Sequence, residues 1–235
     1  MMIRGLNTFP LIDMPQNEKE IQQVLQSPFI KKIVVFALGP EGTNIVQAAR
    51  QWMKRMNIAE KTEIHLCDTP ELSLAEARKI SDNGIVAVFW TCAVYVKEAE
   101  FFFTNPDILA FFFTEIMNLD EMQFATRQDL VVQVQNNGIP RSWKIASHPS
   151  PAPLVKDLGC KVVLVNSNSA AAKSCSVGEV EACITTESGR KIYGLVSLHS
   201  FGSPPMVFFG GTTSHGARVI KEAWEAWQKS QKSAG

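Results

Sequence analysis

The sequence predicts an α/β protein, and three observations carry that prediction. Short uninterrupted apolar runs stand at Ile33–Leu38 and in GIVAVFW, amphipathic stretches of helical spacing lie between them, and the loops after the apolar runs are rich in glycine, serine and threonine. A fully apolar run of strand length fits a strand covered on both faces, which is the environment of a parallel sheet connected by helices.

The elements follow in order. EKEIQQVLQS (18–27) places Ile21, Val24 and Leu25 at helical spacing, and Pro28 closes it. KKIVVFALGPEGTNIVQAARQWMKRM then reads as a strand, a glycine turn and a helix from about Thr43. TEIHLCDT alternates as a strand, LSLAEARKI is helical, and GIVAVFW is the third strand. From Phe101 to Asp129 the periodicity is weak: an aromatic helix or loop, then EMQFATR as a strand. NNGIP (136–140) is a turn cluster, after which the strand–helix rhythm resumes in SWKIASHPSPAPLVKDL, KVVLVNSNSAAAKSCSVG and EACITTESGRKIYGL. The segment LVSLHSFGSPPMVFFGGT is strand-like around Val207–Phe209. RVIKEAWEAWQKSQKSAG forms a last helix with Val219, Ala223, Trp224 and Trp227 on one face.

Composition narrows the function. The 235 residues are 46% hydrophobic, enough for a substantial core, and Lys+Arg and Asp+Glu balance at 23 each. Such a chain has no net positive field for a nucleic-acid backbone and no basic face for anionic lipid, so the expected partner is a small molecule. The aromatic stretches Phe101–Phe103 and Phe111–Phe113 are separated by Asn105, Pro106 and Asp107. They fall short of the roughly 20 apolar residues of a membrane helix and are expected in a core or a dimer interface. Cys67, Cys92, Cys160, Cys175 and Cys183 are odd in number and never spaced as metal ligands. They are expected to be reduced and mostly buried, and neither metal nor cofactor is expected. The leading MMIRGLNTFPLIDMPQNEKE has no signal-like apolar run and carries acids where a transit peptide avoids them, so the expected location is cytoplasmic.

Three strand-end loops are candidates for the chemistry. In open α/β sheets, ligands bind at the carboxyl ends of strands, where helix N-termini present backbone N–H groups to anions. Leu38-Gly39-Pro40-Glu41-Gly42-Thr43 offers two glycines for close backbone approach and a threonine at a helix start. Ser147-His148-Pro149-Ser150-Pro151 offers hydroxyls and an imidazole that titrates near neutrality, although a histidine between prolines also serves as a structural hydrogen-bonder. Asn166-Ser167-Asn168-Ser169 precedes Ala170-Ala171-Ala172, and Asn168 or Ser169 is expected to cap the helix and share its N–H groups with a carboxylate.

In this order the loops resemble the prephenate dehydratase superfamily. Its Leu-Gly-Pro-x-Gly-Thr loop is matched by Leu38 to Thr43, its Ser-His-Pro turn by Ser147-His148-Pro149, its Ser/Thr-Ala-Ala helix start by Asn168 to Ala171, and its Tyr-Gly-Leu segment by Tyr193-Gly194-Leu195. The resemblance runs from about Ile33 to about Phe209. It implies a two-lobed prephenate dehydratase-like fold, periplasmic-binding-protein type II-like, with a cleft between lobes and homodimeric assembly. The implied organisation is an N-terminal extension with a helix (1–30), a catalytic domain (31–212) with lobe 1 at 31–95 and 190–212 and lobe 2 at 96–189, and a C-terminal helix and tail (213–235).

Two departures matter. Where dehydratases carry Thr-Arg-Phe, this chain has Ser203-Pro204-Pro205-Met206, and where they carry an acid–asparagine pair it has Phe89-Trp90-Thr91-Cys92. Without a leaving-group acid, loss of water is slow. A branch of the superfamily shows the same losses: the non-aromatising prephenate decarboxylases of specialised metabolism, such as the bacilysin-pathway enzyme. It is further similar in Gly-Pro-Glu-Gly-Thr, Ser-His-Pro-Ser-Pro, Asn-Ser-x-Ser-x-Ala-Ala and Pro-Met. The resemblance implies decarboxylation of prephenate or a close analogue to a dihydro-4-hydroxyphenylpyruvate in antibiotic biosynthesis. On that reading a carboxylate substrate is bound by Gly39, Glu41, Gly42, Thr43, Trp90, Ser147, Asn166, Asn168, Ser169, Ala170 and Met206. Phe89, Trp90 and Met206 form a dry wall for the departing carboxylate, and Thr91, His148 or a water gives the ring its proton. A dehydratase-like step on this or a related ring, and a non-enzymatic binder, are the alternative readings.

Overall fold

The computed structural model describes residues 15, 17–39, 41, 43–95 and 97–233. The chain folds into two compact units, 1–117 with 206–235 and 118–205. In the first unit α1 (Glu18–Gln26) is capped by Asn17 and buries Ile21, Val24 and Leu25, the expected face. β1 (Lys32–Leu38) is buried through its middle because it pairs in parallel on both sides. α2 (Asn44–Arg55) follows from the Thr43 cap. Then come β2 (Thr62–Cys67), α3 (Pro70–Lys79), β3 (Ile85–Cys92), α4 (Glu98–Thr104) and β4 (Ile108–Asn118). The weakly periodic stretch after Phe101 thus contains a helical turn and a long strand. Phe101 is buried and Phe103 is exposed, so the aromatic run is only partly core.

The second unit contains β5 (Met122–Thr126), α5 (Val131–Asn137), β6 (Lys144–Ser147), β7 (Lys161–Leu164), α6 (Asn168–Ser176), β8 (Ala182–Thr186), α7 (Glu187–Ile192) and β9 (Val196–Gly202). Its sheet order is β7-β6-β8-β5-β9, with β6 parallel to β7 and β8, and β5 antiparallel to β8 and β9. One face packs small residues, Ala125, Ala146, Ala171, Ala172, Cys175 and Cys183, which lets α6 lie close to the strands. The other face packs Met122, Phe124, Trp143, Ile145, Val155 and Ile184. All five cysteines are free thiols, with Cys175 and Cys183 buried and Cys67, Cys92 and Cys160 half-buried.

The chain returns to the first unit as β10 (Pro205–Thr213) and α8 (Ser214–Ser233). β10 runs antiparallel to β3, from Phe208↔Cys92 to Thr212↔Val88, and completes the order β2-β1-β3-β10-β4. Both sheets therefore share one plan: three parallel strands, then an antiparallel strand on the third. α8 packs on β3 and α1, burying Val219, Ile220 and Ala223, while Trp224 and Trp227 are half-buried. Among the described residues no helix is long and apolar enough to cross a membrane.

The unit boundaries differ from the expected lobes. The stretch 96–117, assigned to lobe 2 by the sequence, lies in the first unit because β4 joins the first sheet. β9, inside the 190–212 segment assigned to lobe 1, lies in the second sheet. The expected helices at 18–27 and 213–235 are integral parts of the first unit, since α1 and α8 pack on each other and α8 on β3.

Candidate functional site

In the first unit, β1 and β3 run in register, with Ala37 beside Trp90, so the loop after Leu38 and the Thr91 end of β3 share one edge of the sheet. The loop's residues have well-defined local duties. A Cβ on Gly39 would stand 3.1 Å from Leu66 Cβ, and the Gly39 N–H donates to Cys67 O at 2.8 Å, so glycine eases the close approach to β2. Thr43 Oγ1 donates to Leu38 O at 2.8 Å and accepts from the Val46 N–H at 3.4 Å, closing the loop onto the helix start. Glu41 is exposed and pairs with Arg50 at 2.7 Å. Gly42 lies outside the described residues.

Phe89, Trp90 and Met206 do not form the expected dry wall. Successive residues of a strand point to opposite faces. Trp90 meets Trp52 of α2, with ring centroids 5.5 Å apart, whereas Phe89 meets Phe101 of α4 at 5.7 Å. Both are fully buried, and only Met206, half-buried on β10, keeps exposed surface.

Thr91 is also fully buried, and its hydroxyl is engaged. Thr91 Oγ1 donates to Glu98 Oε2 at 3.0 Å, while Glu98 Oε1 is buried with no hydrogen-bond partner. Burial raises the Glu98 pKa above the ordinary carboxylate range, against a smaller lowering by the Thr91 hydrogen bond. Sequence reasoning missed Glu98 because the search for a carboxyl stopped within Phe89–Cys92. The signal was an acid at a helix start, seven residues after Thr91.

In the second unit, Ser147 is fully buried at the end of β6 and its hydroxyl donates to His148 O at 2.9 Å, so it offers no surface to a ligand. His148 Nδ1 accepts the Ser150 N–H at 3.3 Å, which places the neutral ring's proton on Nε2. Burial lowers the His148 pKa, so at neutral pH the ring is a hydrogen-bond donor rather than an imidazolium acid. The helix expected after this turn is a 3-10 helix, Ala152–Leu158.

The cap of α6 is Ser167, not Asn168 or Ser169. Its side chain accepts from the Ala170 N–H at 3.0 Å, and Asn168 and Ser169 are the first two helical residues. Their N–H groups are among those a helix leaves without an internal partner. Asn168 Oδ1 is buried without a partner, while the Asn168 carbonyl accepts from the buried Thr185 hydroxyl at 2.9 Å. Asn166 and Ser169 are exposed and Ala170 is half-buried. Each unit thus carries its own candidates at the carboxyl edge of its parallel strands: Gly39, Thr43 and the Thr91–Glu98 pair in the first, His148 and the α6 start in the second. Among the described residues no group of three or more histidine, cysteine or carboxylate side chains could hold a metal ion.

No family model matches the chain. Among curated proteins, a prephenate decarboxylase of Bacillus subtilis strain 168 is 29% identical over 184 residues, 75% of this chain and 84% of that protein. A prephenate decarboxylase of Bacillus amyloliquefaciens matches equally, at 29% over the same shares. Among solved structures, a double mutant of the BvgS VFT2 domain of Bordetella pertussis superposes with a TM-score of 0.53 and 18% identity, covering 91% of this chain and 94% of that one. The periplasmic VFT2 domain of BvgS gives 0.52 and 16%, over 90% and 93%. In fold this chain is similar to two-lobed periplasmic-binding-protein-like α/β domains, and in sequence to the prephenate decarboxylases of Bacillus.

Proposed function

We propose that this chain is a carbon–carbon lyase that decarboxylates prephenate or a close analogue without aromatising the ring, giving a dihydro-4-hydroxyphenylpyruvate for antibiotic biosynthesis. The observation that carries the reading is the 29% identity to prephenate decarboxylases over three quarters of the chain. It is supported by Ser203-Pro204-Pro205-Met206 where dehydratases resembling this chain carry Thr-Arg-Phe.

The chemistry asks little of the protein beyond binding, a dry setting for the departing carboxylate, and one proton for the ring. The starts of α2 and α6, after Thr43 and Ser167, are suited to hold carboxylates by backbone N–H groups. On this reading the enzyme works as a cytoplasmic homodimer, which sedimentation at micromolar concentration checks.

Incubation with prephenate should release carbon dioxide, and proton NMR of the product should show retained ring vinyl protons beside an intact carbinol. Phenylpyruvate as the product sinks the reading. One observation favours dehydration as the second reading: the Glu98 carboxyl, with its raised pKa, is a group able to protonate a leaving hydroxyl. Rescue of a phenylalanine auxotroph would select that reading, since only a dehydratase supplies phenylpyruvate.

A further inference from the structure

The decarboxylation reading needs a proton for the ring, and the sequence offers Thr91, His148 and water as its source. The two side chains are poorly disposed to give it. Thr91 is fully buried with its hydroxyl donated to Glu98, and His148 is held neutral by burial.

Glu98 is disposed differently. The Glu98 N–H donates to Tyr95 O at 3.0 Å, which turns the chain back beyond β3 so that the side chain reaches Thr91. One carboxyl oxygen is fixed by the threonine. The other, Oε1, is buried and unpartnered in a half-buried residue. Phe89, on the same face of β3 as Thr91, and Phe101, on α4 with Glu98, belong to an apolar cluster with Leu74 and Ile108, with the Tyr95 ring against it. Among the described residues no ion pair reaches Glu98. An ionised carboxylate with a buried, unsatisfied oxygen is costly, and a protonated one costs less. The same setting keeps other known carboxyl groups protonated for use as acids. Because Oε1 is closed off from solvent, delivery of its proton to a ring carbon requires that substrate binding open the cover over this atom.

We propose that Glu98 is the acid that protonates the ring during decarboxylation, with Thr91 as the positioning residue that fixes its carboxyl. This rests on the decarboxylase reading above. In the step, the bond from the ring to its carboxylate carbon breaks and carbon dioxide departs. The released electron pair moves through the ring diene and forms a new C–H bond with the proton from Glu98, leaving a Glu98 carboxylate that solvent reprotonates. One proton is consumed per turnover and nothing is oxidised or reduced.

The neighbouring titratable groups are Cys92 on β3, Tyr95 in the turn, Glu71 on α3, and Lys97 and Glu100 beside Glu98 on α4. Burial raises Cys92 and Tyr95, so both stay neutral through the working range. Burial also works to raise Glu71, but the hydrogen bond from Tyr95 outweighs it with the help of weaker ones, so Glu71 stays ionised. Among these groups, an activity limb above the ordinary glutamate range belongs to Glu98, and its loss in Glu98→Gln separates it from one due to His148.

The test uses the full chain with prephenate as the probe, following carbon dioxide release and product NMR across pH. Native enzyme should lose kcat as pH rises through the Glu98 pKa. The isosteric Glu98→Gln should lower kcat by about 100-fold or more while KM stays within about threefold, and its residual activity should lack that limb. Thr91→Val, which removes the bond that stabilises the carboxylate, should move the limb to higher pH, and Thr91→Ser should restore it. A purely structural role for Thr91 would not move the limb. Titration of 13C-labelled glutamate carboxyls, native against Glu98→Gln, gives the pKa independently of turnover. A native enzyme that decarboxylates prephenate while folded Glu98→Gln keeps kcat within about threefold, with the native pH limb, overturns the assignment alone. A native enzyme inert toward prephenate, or one that makes phenylpyruvate, overturns the decarboxylase reading and this assignment with it.

Discussion

His148 and Glu98 are both shifted by burial, and in opposite senses for stability. His148 has its pKa lowered from the usual 6.5, so as pH falls the unfolded chain takes up that proton before the folded one. Its contribution is fully present above 6.5 and is lost as pH falls toward the folded value; His148→Gln should therefore narrow the gap between urea midpoints at pH 7.5 and 5.5. Glu98 has its pKa raised, so the folded state holds its proton longer. That contribution is present below the ordinary glutamate range and is lost as pH rises through the folded value. Glu98→Gln should accordingly gain melting temperature relative to native when both are moved from pH 5 to pH 8, and an unchanged difference would contradict the shift. Capping residues give a third test: Ser167→Ala, which removes the acceptor for the Ala170 N–H, should cost about 1 kcal/mol in urea unfolding. The Thr43 cap was legible because it stands alone between glycine and the apolar helix face. The Ser167 cap was not, because Asn166, Ser167, Asn168 and Ser169 all suit the position, and only the end of β7 at Leu164 sets the register.

At the scale of elements, β10 illustrates how a strand is fitted to its neighbour. A Cβ on Gly210 would stand 3.0 Å from the Trp90 indole and 3.1 Å from Val88 Cγ1, in the middle of its antiparallel pairing with β3. Trp90 is already closed in by Trp52 and cannot withdraw, so Gly210→Ala should destabilise by about 1–3 kcal/mol, the usual penalty of overpacking. Chemical denaturation with an unchanged m-value checks this. The same packing explains which elements could be read in advance. β1 and β3 are covered on both faces, so Ile33–Leu38 and Ile85–Trp90 are uninterrupted apolar runs that announce themselves. β9 lies at the edge of the second sheet and exposes Ser197, His199 and Ser200, so its apolar residues are too scattered to mark a strand. α5 buries no residue fully and so carries no helical stripe. Glu98 escaped for a related reason: its partner is chosen by how α4 folds back on β3, which the spacing of apolar residues does not encode.

At the scale of the whole molecule, the two units are unequal in how the chain builds them. The second is made from one continuous stretch, 118–205, and owns its whole sheet. The first is discontinuous, because β10 and α8 come from the far side of the second unit. The boundaries could not be read from the repeated strand–helix rhythm, since both sheets use the same strand plan and each takes an antiparallel strand that interrupts the rhythm. The discontinuity has a thermodynamic consequence. A chain ending at Pro204 would lack Phe208, Val219 and Ile220, all buried, along with the Thr212 hydroxyl that donates to Ala87 O at 2.6 Å. Three such side chains contribute roughly 5–9 kcal/mol between them, comparable with the whole stability of an ordinary domain. The β3 edge would also lose its pairing partner and stand open. The truncated chain should therefore keep a cooperative fold only in 118–204, where the clusters around Ala146 and Ile145 are complete without β10. Hydrogen exchange should show slow amides in β5, β6 and β8 and fast ones in β1 and β3. Protection of β1 and β3 in the truncated chain would mean that the first unit stands without its returning strand, and that the area buried by β10 and α8 is not what holds it together.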